Sequence, residues 1–263
     1  MTDVTDRFTA LVQGAPDRIA LDEAALLIAA HAHADLDVAA RLAHLDELAA
    51  QVRVADAPGV AAALFGDGGF TGNTVDYYDP SNSYLDDVLD RRLGIPITLS
   101  VLMIEVGRRA GVPLAGVGMP GHFLVGSDGI EQWFDPFHGP EPLGVDECEA
   151  LYARQLGAVA LAQPLQREQL AAVGPLAILD RMLANLQQTL LQRDPAAAAW
   201  PTRLRLAFPS LPPHVRAQLA ATLGSLGQFG EAAAQLDAVA AELGPDAPSS
   251  ITRAAARLRA RAN

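Results

Sequence analysis

The chain has 263 residues, half of them hydrophobic, a length that allows one large domain or two small ones with their own cores. Its 31 acidic and 19 basic residues give a net charge of -12, which repels phosphate backbones and argues against nucleic acid as a partner. The single cysteine excludes an internal disulfide and any metal site built from several cysteines. With no apolar run near the ~20 residues that span a bilayer and no visible signal peptide, we expect a cytoplasmic protein without a membrane partner.

Residues 1–60 are predicted to form helices that pack on the rest of the chain. Residues 21–30 and 37–49 both repeat apolar side chains at intervals of three and four residues, the spacing of one helix face. His31 and His33 lie two positions apart and would point to different faces of a helix. We therefore interpret them as surface residues and not as a metal clamp.

The next segment carries the signals of a loop followed by two helices. Residues 66–82 are rich in Gly, Asp, Asn and Pro, which predicts an ordered loop. The helices are predicted from Tyr84 to Arg92 and from about Ile97 to Ala110. Pro96 near the start of the second helix and Gly111 past its end fit helix boundaries. Its side chains are apolar nearly all round, so we expect it to be buried.

A polar cluster that includes Asn82 and Arg92 directly precedes this buried helix. One interpretation is a helix cap with exposed ion pairs. The other is that Asn82 and Arg92 face a cleft and bind a ligand. The sequence leaves both open, and both residues are candidate binding residues.

The stretch 121–136 is the most informative part of the sequence, because it predicts a β-hairpin with a histidine on one strand and an aspartate on the other. Asp128-Gly129 is a favoured dipeptide for a two-residue type I′ turn, since both positions need φ > 0. The register set by such a turn places His122 directly opposite Asp135, in a close, non-hydrogen-bonded pair.

A carboxylate that orients an imidazole is half of many nucleophilic sites, which makes His122 and Asp135 candidate catalytic residues. The alternative is a half-buried strand histidine satisfied by a neighbouring acid. His138 flanks the pair and is a candidate binding residue. Cys148 lies between acidic residues, which raise the pKa of a thiol and argue against a catalytic role.

The last hundred residues are predicted to be helical, after a Pro- and Gln-containing linker near residues 157–170. Residues 227–245 carry the second-helix pattern of a tetratricopeptide repeat, in which small Ala232 allows a close helix approach and Pro245 ends the helix. Residues 215–226 would form the first helix. Any amphipathic helix pair can mimic one repeat, so the prediction is a tetratricopeptide-like region that offers a surface to a protein partner.

Three motifs together resemble the SirB family of bacterial proteins: the run from Asn82 to Leu102, the run from Gly116 to Val125, and Phe134-Asp-Pro-Phe. That family combines a transglutaminase-like domain with C-terminal tetratricopeptide-like helices. The resemblance covers roughly residues 20–245. It implies an α+β, papain-like fold with a cysteine at the N-terminus of a buried helix, a histidine on the next strand and an aspartate on the strand after that.

His122 and Asp135 match this family pattern, but the residue at the position of the cysteine nucleophile does not. When the helix ends are aligned, Pro96 occupies the position of the cysteine, and proline has no nucleophilic atom. Thr98 lies two positions further on, about 200° around the helix, and would point away from His122. Its commoner role is to bond its own helix backbone, and we do not expect Thr98 or Ser100 to be a substitute nucleophile. The sequence therefore argues against thiol-dependent acyl transfer.

These observations predict an α+β fold in three parts. N-terminal helices occupy 1–60, a transglutaminase-like (papain-like) core occupies 61–160, and an all-α, tetratricopeptide-like region occupies 170–263. We expect no metal and no cofactor.

Two functions remain open at this point. The first is a module that lacks the cysteine nucleophile and binds a peptide or protein segment in its cleft. Its candidate binding residues are Asn82, Arg92, Pro96, Thr98 and His138. The second is a hydrolase in which the pair His122 and Asp135 acts as general base on an amide or ester substrate.

Overall fold

The computed structural model describes residues 2–15, 18–127, 130–209 and 211–262. It is mostly helical with a small antiparallel sheet, which is compatible with the predicted α+β class. The helices are α1 (Thr2–Val12), α2 (Leu21–Ala30), α3 (Val38–Ala50), α4 (Ala57–Ala61), α5 (Leu85–Arg91), α6 (Pro96–Arg109), α7 (Val145–Leu156), α8 (Ala158–Ala162), α9 (Pro175–Arg193), α10 (Ala199–Leu206), α11 (Pro213–Ser225), α12 (Phe229–Leu243) and α13 (Ser249–Ala262). In the described ranges, none of these helices combines the length and hydropathy needed to cross a membrane.

The main sheet has five antiparallel strands in the order β6-β5-β4-β3-β7. A separate parallel pair joins β1 and β2. The strands are β1 (Thr71–Gly72), β2 (Leu93–Gly94), β3 (Leu114–Val117), β4 (Leu124–Ser127), β5 (Trp133–Phe134), β6 (Pro142–Leu143) and β7 (Ala172–Val173). The predicted linker near 157–170 contains α8, and the chain then returns to the sheet edge as β7.

The β4–β5 hairpin differs in register from the sequence-based prediction. Val125 pairs with Phe134, whereas a two-residue loop would have paired it with Gln132. The cause is a longer connection: the Ser127 N–H donates to the Gln132 carbonyl over 3.4 Å, so the loop joins these two residues. The predicted turn dipeptide Asp128-Gly129 lies outside the described residues. A shift of two residues leaves every side chain on its predicted face, because the side-chain period of a strand is two.

Helix α6 lies at the centre of the molecule, as the apolar sequence predicts. It starts at Pro96, whose fixed φ suits the first helical position and whose missing N–H would have had no partner there. Every residue from Pro96 to Gly107 is buried. The helix ends before Gly111, which has a φ of +78° and so favours glycine.

One hydrophobic core joins the N-terminal helices, α6 and the later helix α9. Phe8, Leu26, Val101 and Leu183 all belong to this cluster. A second cluster under the sheet includes Cys148. Since α9 packs into the main core, its side chains can contribute to a site built from earlier parts of the chain.

Helices α11, α12 and α13 pack on one another at the C-terminal end. Ala220, Leu236 and Ala255 form a small cluster between them. The pair α11–α12 covers the segments for which the repeat pattern predicts two helices. Small side chains at the contact allow the helices to approach closely.

A cluster of charges fixes the end of α6 against α2. Glu105 and Asp22 are both buried, and Arg109 lies between them, with Nη1 3.0 Å from a Glu105 carboxylate oxygen and Nη2 2.5 Å from an Asp22 oxygen. Burial and the nearby Asp22 charge raise the pKa of Glu105. Burial would also raise the pKa of Asp22, but the Arg109 hydrogen bond and the Glu23 N–H outweigh it and lower that pKa. Arg109 is therefore the buried cation that stabilises these two carboxylates.

Replacing Arg109 by methionine keeps most of the side-chain volume and removes the charge. We expect the R109M variant to lose about 3–5 kcal/mol of unfolding free energy, because two buried carboxylates lose their buried cation and keep only the largely exposed Arg108 as a partner. Urea unfolding at pH 7 measures this loss.

The matched control is R108M on the same helix. Arg108 contacts the same two carboxylates, but its side chain is 59% exposed, so its loss should cost about 1 kcal/mol or less. Equal losses in the two variants would contradict this account of the cluster.

Candidate functional site

A tight turn between β3 and β4 presents His122. The His122 N–H donates to the Met119 carbonyl over 3.0 Å, Pro120 and Gly121 occupy the middle of the turn, and Gly121 has a φ of +78°. Proline at the second position and a positive φ at the third define a type II turn. A Cβ on Gly121 would also lie 3.2 Å from the Gln155 Cβ. The sequence Met-Pro-Gly-His is therefore suited to hold His122 at the end of the sheet.

His122 and Asp135 are in contact, as the sequence predicts, although they are not directly opposite each other. Nε2 of His122 lies 2.9 Å from Oδ2 of Asp135. Asp135 follows the last residue of β5, and the two-residue shift in register makes the pair diagonal neighbours on one face. Both residues are buried, at 5% and 4% exposure. The contact is close but poorly aligned, since Nε2 does not meet the angular requirements of a hydrogen bond.

Asp135 also binds a second histidine. Nδ1 of His138 lies 2.6 Å from the same oxygen, Oδ2, and the Phe137 N–H donates to Oδ1. Burial on its own would raise the pKa of Asp135, but the neighbouring His122 and the His138 hydrogen bond outweigh it and lower that pKa. Asp135 is therefore stabilised as a carboxylate between one buried and one exposed imidazole.

A cleft of about 230 Å³ lies beside His122. Its wall brings together the turn, the start of α6, the loop before α5, and α9. The lining residues are Tyr77, Pro96, Ile97, Gly121, His122, Phe123, Arg181 and Asn185. Pro96 and His122, two of the residues singled out from the sequence, thus share one cleft. None of the lining residues carries a thiol or an aliphatic hydroxyl.

The other hydroxyl and thiol candidates lie away from this cleft. Thr98 and Ser100 are fully buried, and neither hydroxyl has a hydrogen-bond partner among the described residues. The expectation that the Thr98 hydroxyl bonds its own helix backbone is therefore wrong. Cys148 is also buried, and burial together with the charges of Glu147 and Asp135 raises its thiol pKa to about 12.

Asn82 and Arg92 do not line the cleft. Asn82 is fully buried, and its amide group donates to the backbone carbonyls of Asp76 and Tyr77. It thereby shapes the loop that carries Tyr77. Arg92 is exposed, donates to the Gly68 carbonyl and lies over the ring of Phe70.

His138 lines a second cavity on the other side of Asp135. This cavity measures about 250 Å³ and includes Glu141, Glu147 and Arg154. The centroids of the His122 and His138 rings are 5.9 Å apart. Asp135 thus lies between the cleft at His122 and the cavity at His138.

The site also offers a set of metal-ligating atoms. His122, Asp135 and His138 each contribute one, and these atoms lie within 4.8 Å of one another. The 2.6 Å separation of His138 Nδ1 and Asp135 Oδ2 is a hydrogen-bond distance. Ligands held about 2.0–2.2 Å from a tetrahedral metal ion would lie further apart, so the observed contact is that of a carboxylate–imidazole pair.

Sequence reasoning missed Tyr77, Arg181 and Asn185. Arg181 and Asn185 are four residues apart on α9, a spacing that puts them on one helix face. The sequence did contain a weak signal, because Arg181 interrupts an apolar helix beside Met182 and Leu183. That signal gives no indication that α9 packs against the His122 turn.

Comparison with known proteins supports the family relationship. Residues 30–184 match the model of the transglutaminase-like superfamily. A UPF0162 protein of Xylella fastidiosa (strain Temecula1) is 41% identical over 158 residues, which cover 58% of this chain and 56% of that protein. A UPF0162 protein of Pseudomonas aeruginosa is 33% identical over 177 residues, with 64% of each chain covered. F-box only protein 21 of Mus musculus is 33% identical over 177 residues, covering 61% of this chain and 27% of that protein.

These similarities concern only part of each relative. The match to the Xylella proteins spans about half of their length. No solved structure matches this chain. The family model, however, covers more than half of the chain and includes the turn, α6 and both members of the His122–Asp135 pair. The chain therefore belongs to the transglutaminase-like superfamily.

Proposed function

We propose that this protein binds a peptide or protein segment in the cleft beside His122 and does not act on it by thiol chemistry. One observation carries the proposal: a proline, Pro96, lines the cleft at the start of α6, next to His122. The superfamily pattern has a cysteine at this position, and proline has no atom that can attack a carbonyl. Cys148 cannot replace it, because the thiol is buried in another cluster and its pKa is raised to about 12.

We also propose that the chain is a SirB-family protein. The motifs from Asn82 to Leu102 and from Gly116 to Val125 support membership of the SirB family. The packed helices α11–α13 would then serve as a tetratricopeptide-like surface for a protein partner. The whole protein would be a pseudoenzyme located in the cytoplasm. The net charge of -12 favours peptide and protein partners over nucleic acid.

A second candidate function is hydrolysis without a protein nucleophile. The observation that favours it is the retained contact between His122 Nε2 and Asp135. Because Nε2 faces the carboxylate, Nδ1 is the ring nitrogen left to act on water or on a substrate. A general base of this kind accelerates a reaction by about 10²–10⁴-fold. Amide or ester hydrolysis is the reaction class that such a base would serve.

Restoring a cysteine tests whether Pro96 occupies the position of the nucleophile. We expect the thiol of a P96C variant to react with iodoacetamide about tenfold faster than free cysteine at pH 7, because a helix N-terminus and a neighbouring imidazole lower a thiol pKa. The rate of alkylation, followed by mass spectrometry against pH, measures this.

Two controls accompany this experiment. The buried thiol of Cys148 should stay unmodified under the same conditions. Adding H122A to the P96C variant should return the rate to that of free cysteine. A P96C thiol that is inert, or that reacts equally fast without His122, would show that the alignment of the site is wrong.

A peptide pool separates binding from hydrolysis. We expect ultrafiltration with a pool of N-acetylated hexapeptides to retain peptides on the protein with unchanged masses. In an N185W variant the tryptophan side chain occupies the space in which the ligand would lie. Retention should therefore fall at least about tenfold. Q218W, on the exposed side of α11, is the matched control and should retain peptides normally.

Other outcomes of this assay favour the alternatives. Shortened peptides whose formation stops in H122A, with an unchanged melting temperature, would establish the hydrolase. Retention that is lost in Q218W and kept in N185W would place binding on the C-terminal helices. No retention by the wild-type protein would refute the binding proposal.

A further inference from the structure

Arg181 is exceptional among the partly buried arginines. Six arginines of the described chain are half-buried: Arg41, Arg91, Arg109, Arg181, Arg205 and Arg216. Five of them form an ion pair with an Asp or Glu side chain. Within the described ranges, Arg181 has no carboxylate within 4.0 Å, although acidic residues outnumber arginines in this protein. A half-buried cation without a counter-ion is costly unless something else compensates its charge.

Part of that compensation comes from the turn that carries His122. Nη2 of Arg181 donates to the His122 carbonyl over 2.7 Å and lies 3.3 Å from the Met119 carbonyl. The guanidinium carbon is 5.5 Å from the centre of the Phe123 ring. Nε and Nη1 have no hydrogen-bond partner among the described residues. Since a guanidinium offers five N–H donors, three of them remain for a ligand.

The free donors belong to the lining of the His122 cleft. Asn185 adds a side-chain amide one helical turn away from Arg181, and Tyr77 adds a hydroxyl from the opposite loop. Burial lowers the pKa of Arg181, yet a guanidinium remains charged at neutral pH. The lining of the cleft therefore includes the full positive charge of Arg181, with the uncharged donors of Asn185 and Tyr77 beside it.

We propose that Arg181, with Asn185 and Tyr77, binds a carboxylate of the ligand in the His122 cleft. This inference rests on the proposed binding function and specifies the ligand group that the cleft recognises. A guanidinium donates charge-assisted hydrogen bonds to a carboxylate, and Nε and Nη1 remain for this while Nη2 holds the turn. A single cation balances a monoanion, whereas a phosphate dianion would leave an excess negative charge within a strongly acidic protein.

The size of the cleft limits what the carboxylate can be attached to. Its volume of about 230 Å³ is below the range of about 300–1,000 Å³ that is typical of drug-sized ligands. It therefore has room for about one residue, and a chain end or one acidic side chain satisfies this limit.

Three pools of N-acetylated hexapeptides test the proposal on the full chain. The first ends in a free carboxylate and lacks Asp and Glu, the second is its C-terminal amide, and the third is an amide with one glutamate. Equilibrium dialysis with mass spectrometry gives an apparent Kd for each. We expect the first or third pool to bind at least about tenfold tighter than the second, because a charge-assisted hydrogen bond is lost in the amide. Comparison of the two acidic pools distinguishes a chain end from a side chain.

Substitutions link this preference to Arg181. R181Q should abolish the preference for acidic pools, and R181K should keep only part of it because lysine keeps the charge but cannot hold the turn and the ligand through separate donors. R253Q removes an exposed arginine from α13 and should behave like the wild-type protein. If R181Q does not fold, N185L provides the second variant, with an expected weakening of acid binding but not of amide binding.

The outcomes separate this inference from the proposed function. Equal binding of all pools, with loss in N185W, would overturn the carboxylate proposal and leave peptide binding intact. No binding of any pool would refute both. Phosphate that displaces the peptides more strongly than acetate at equal ionic strength would overturn the choice of a carboxylate. A folded R181Q variant that keeps the acid preference would show that Arg181 does not provide the site.

Discussion

The His122–Asp135 contact depends on how the backbone around each residue is held. A type II turn with a positive φ at Gly121 carries His122, and Arg181 from a distant helix holds the carbonyls at both ends of that turn. Asp135 is held by the Phe137 N–H and by His138. The buried helix α6, whose far end is anchored to α2 by Arg109, presents Pro96 to the same cleft. The cleft therefore requires most of the fold, not the hairpin alone.

Under the proposed function, the cleft has an imidazole–carboxylate pair but no protein nucleophile, which changes what it can do. An oriented imidazole accelerates acyl transfer only if it activates an attacking atom. If Pro96 occupies the position of the nucleophile, as we propose, that atom must be water or be absent. The cleft is lined by an imidazole, a guanidinium, an amide and a phenol, the groups to which our proposal assigns binding of the polar end of a peptide.

Local patterns in the sequence predicted the elements around the site, and long-range packing decided the rest. Pro96 and Gly111 mark the ends of α6, and the apolar run between them predicts its burial. The hairpin register was wrong by two residues because the loop was predicted too short, yet the contact between His122 and Asp135 survived, since a shift of two keeps the face. Arg181 could not be predicted as part of the site, because its position depends on how α9 packs against a turn about sixty residues earlier in the chain.

Photo-crosslinking tests the location of the ligand most directly. N-acetylated hexapeptides with a free carboxylate and a diazirine on the last residue would be irradiated with the full chain, and the modified residues mapped by mass spectrometry. We predict crosslinks at Tyr77, Ile97 and Asn185, which surround the cleft. Crosslinks confined to α11–α13, or scattered over the surface, would contradict the claim that the His122 cleft is the binding site.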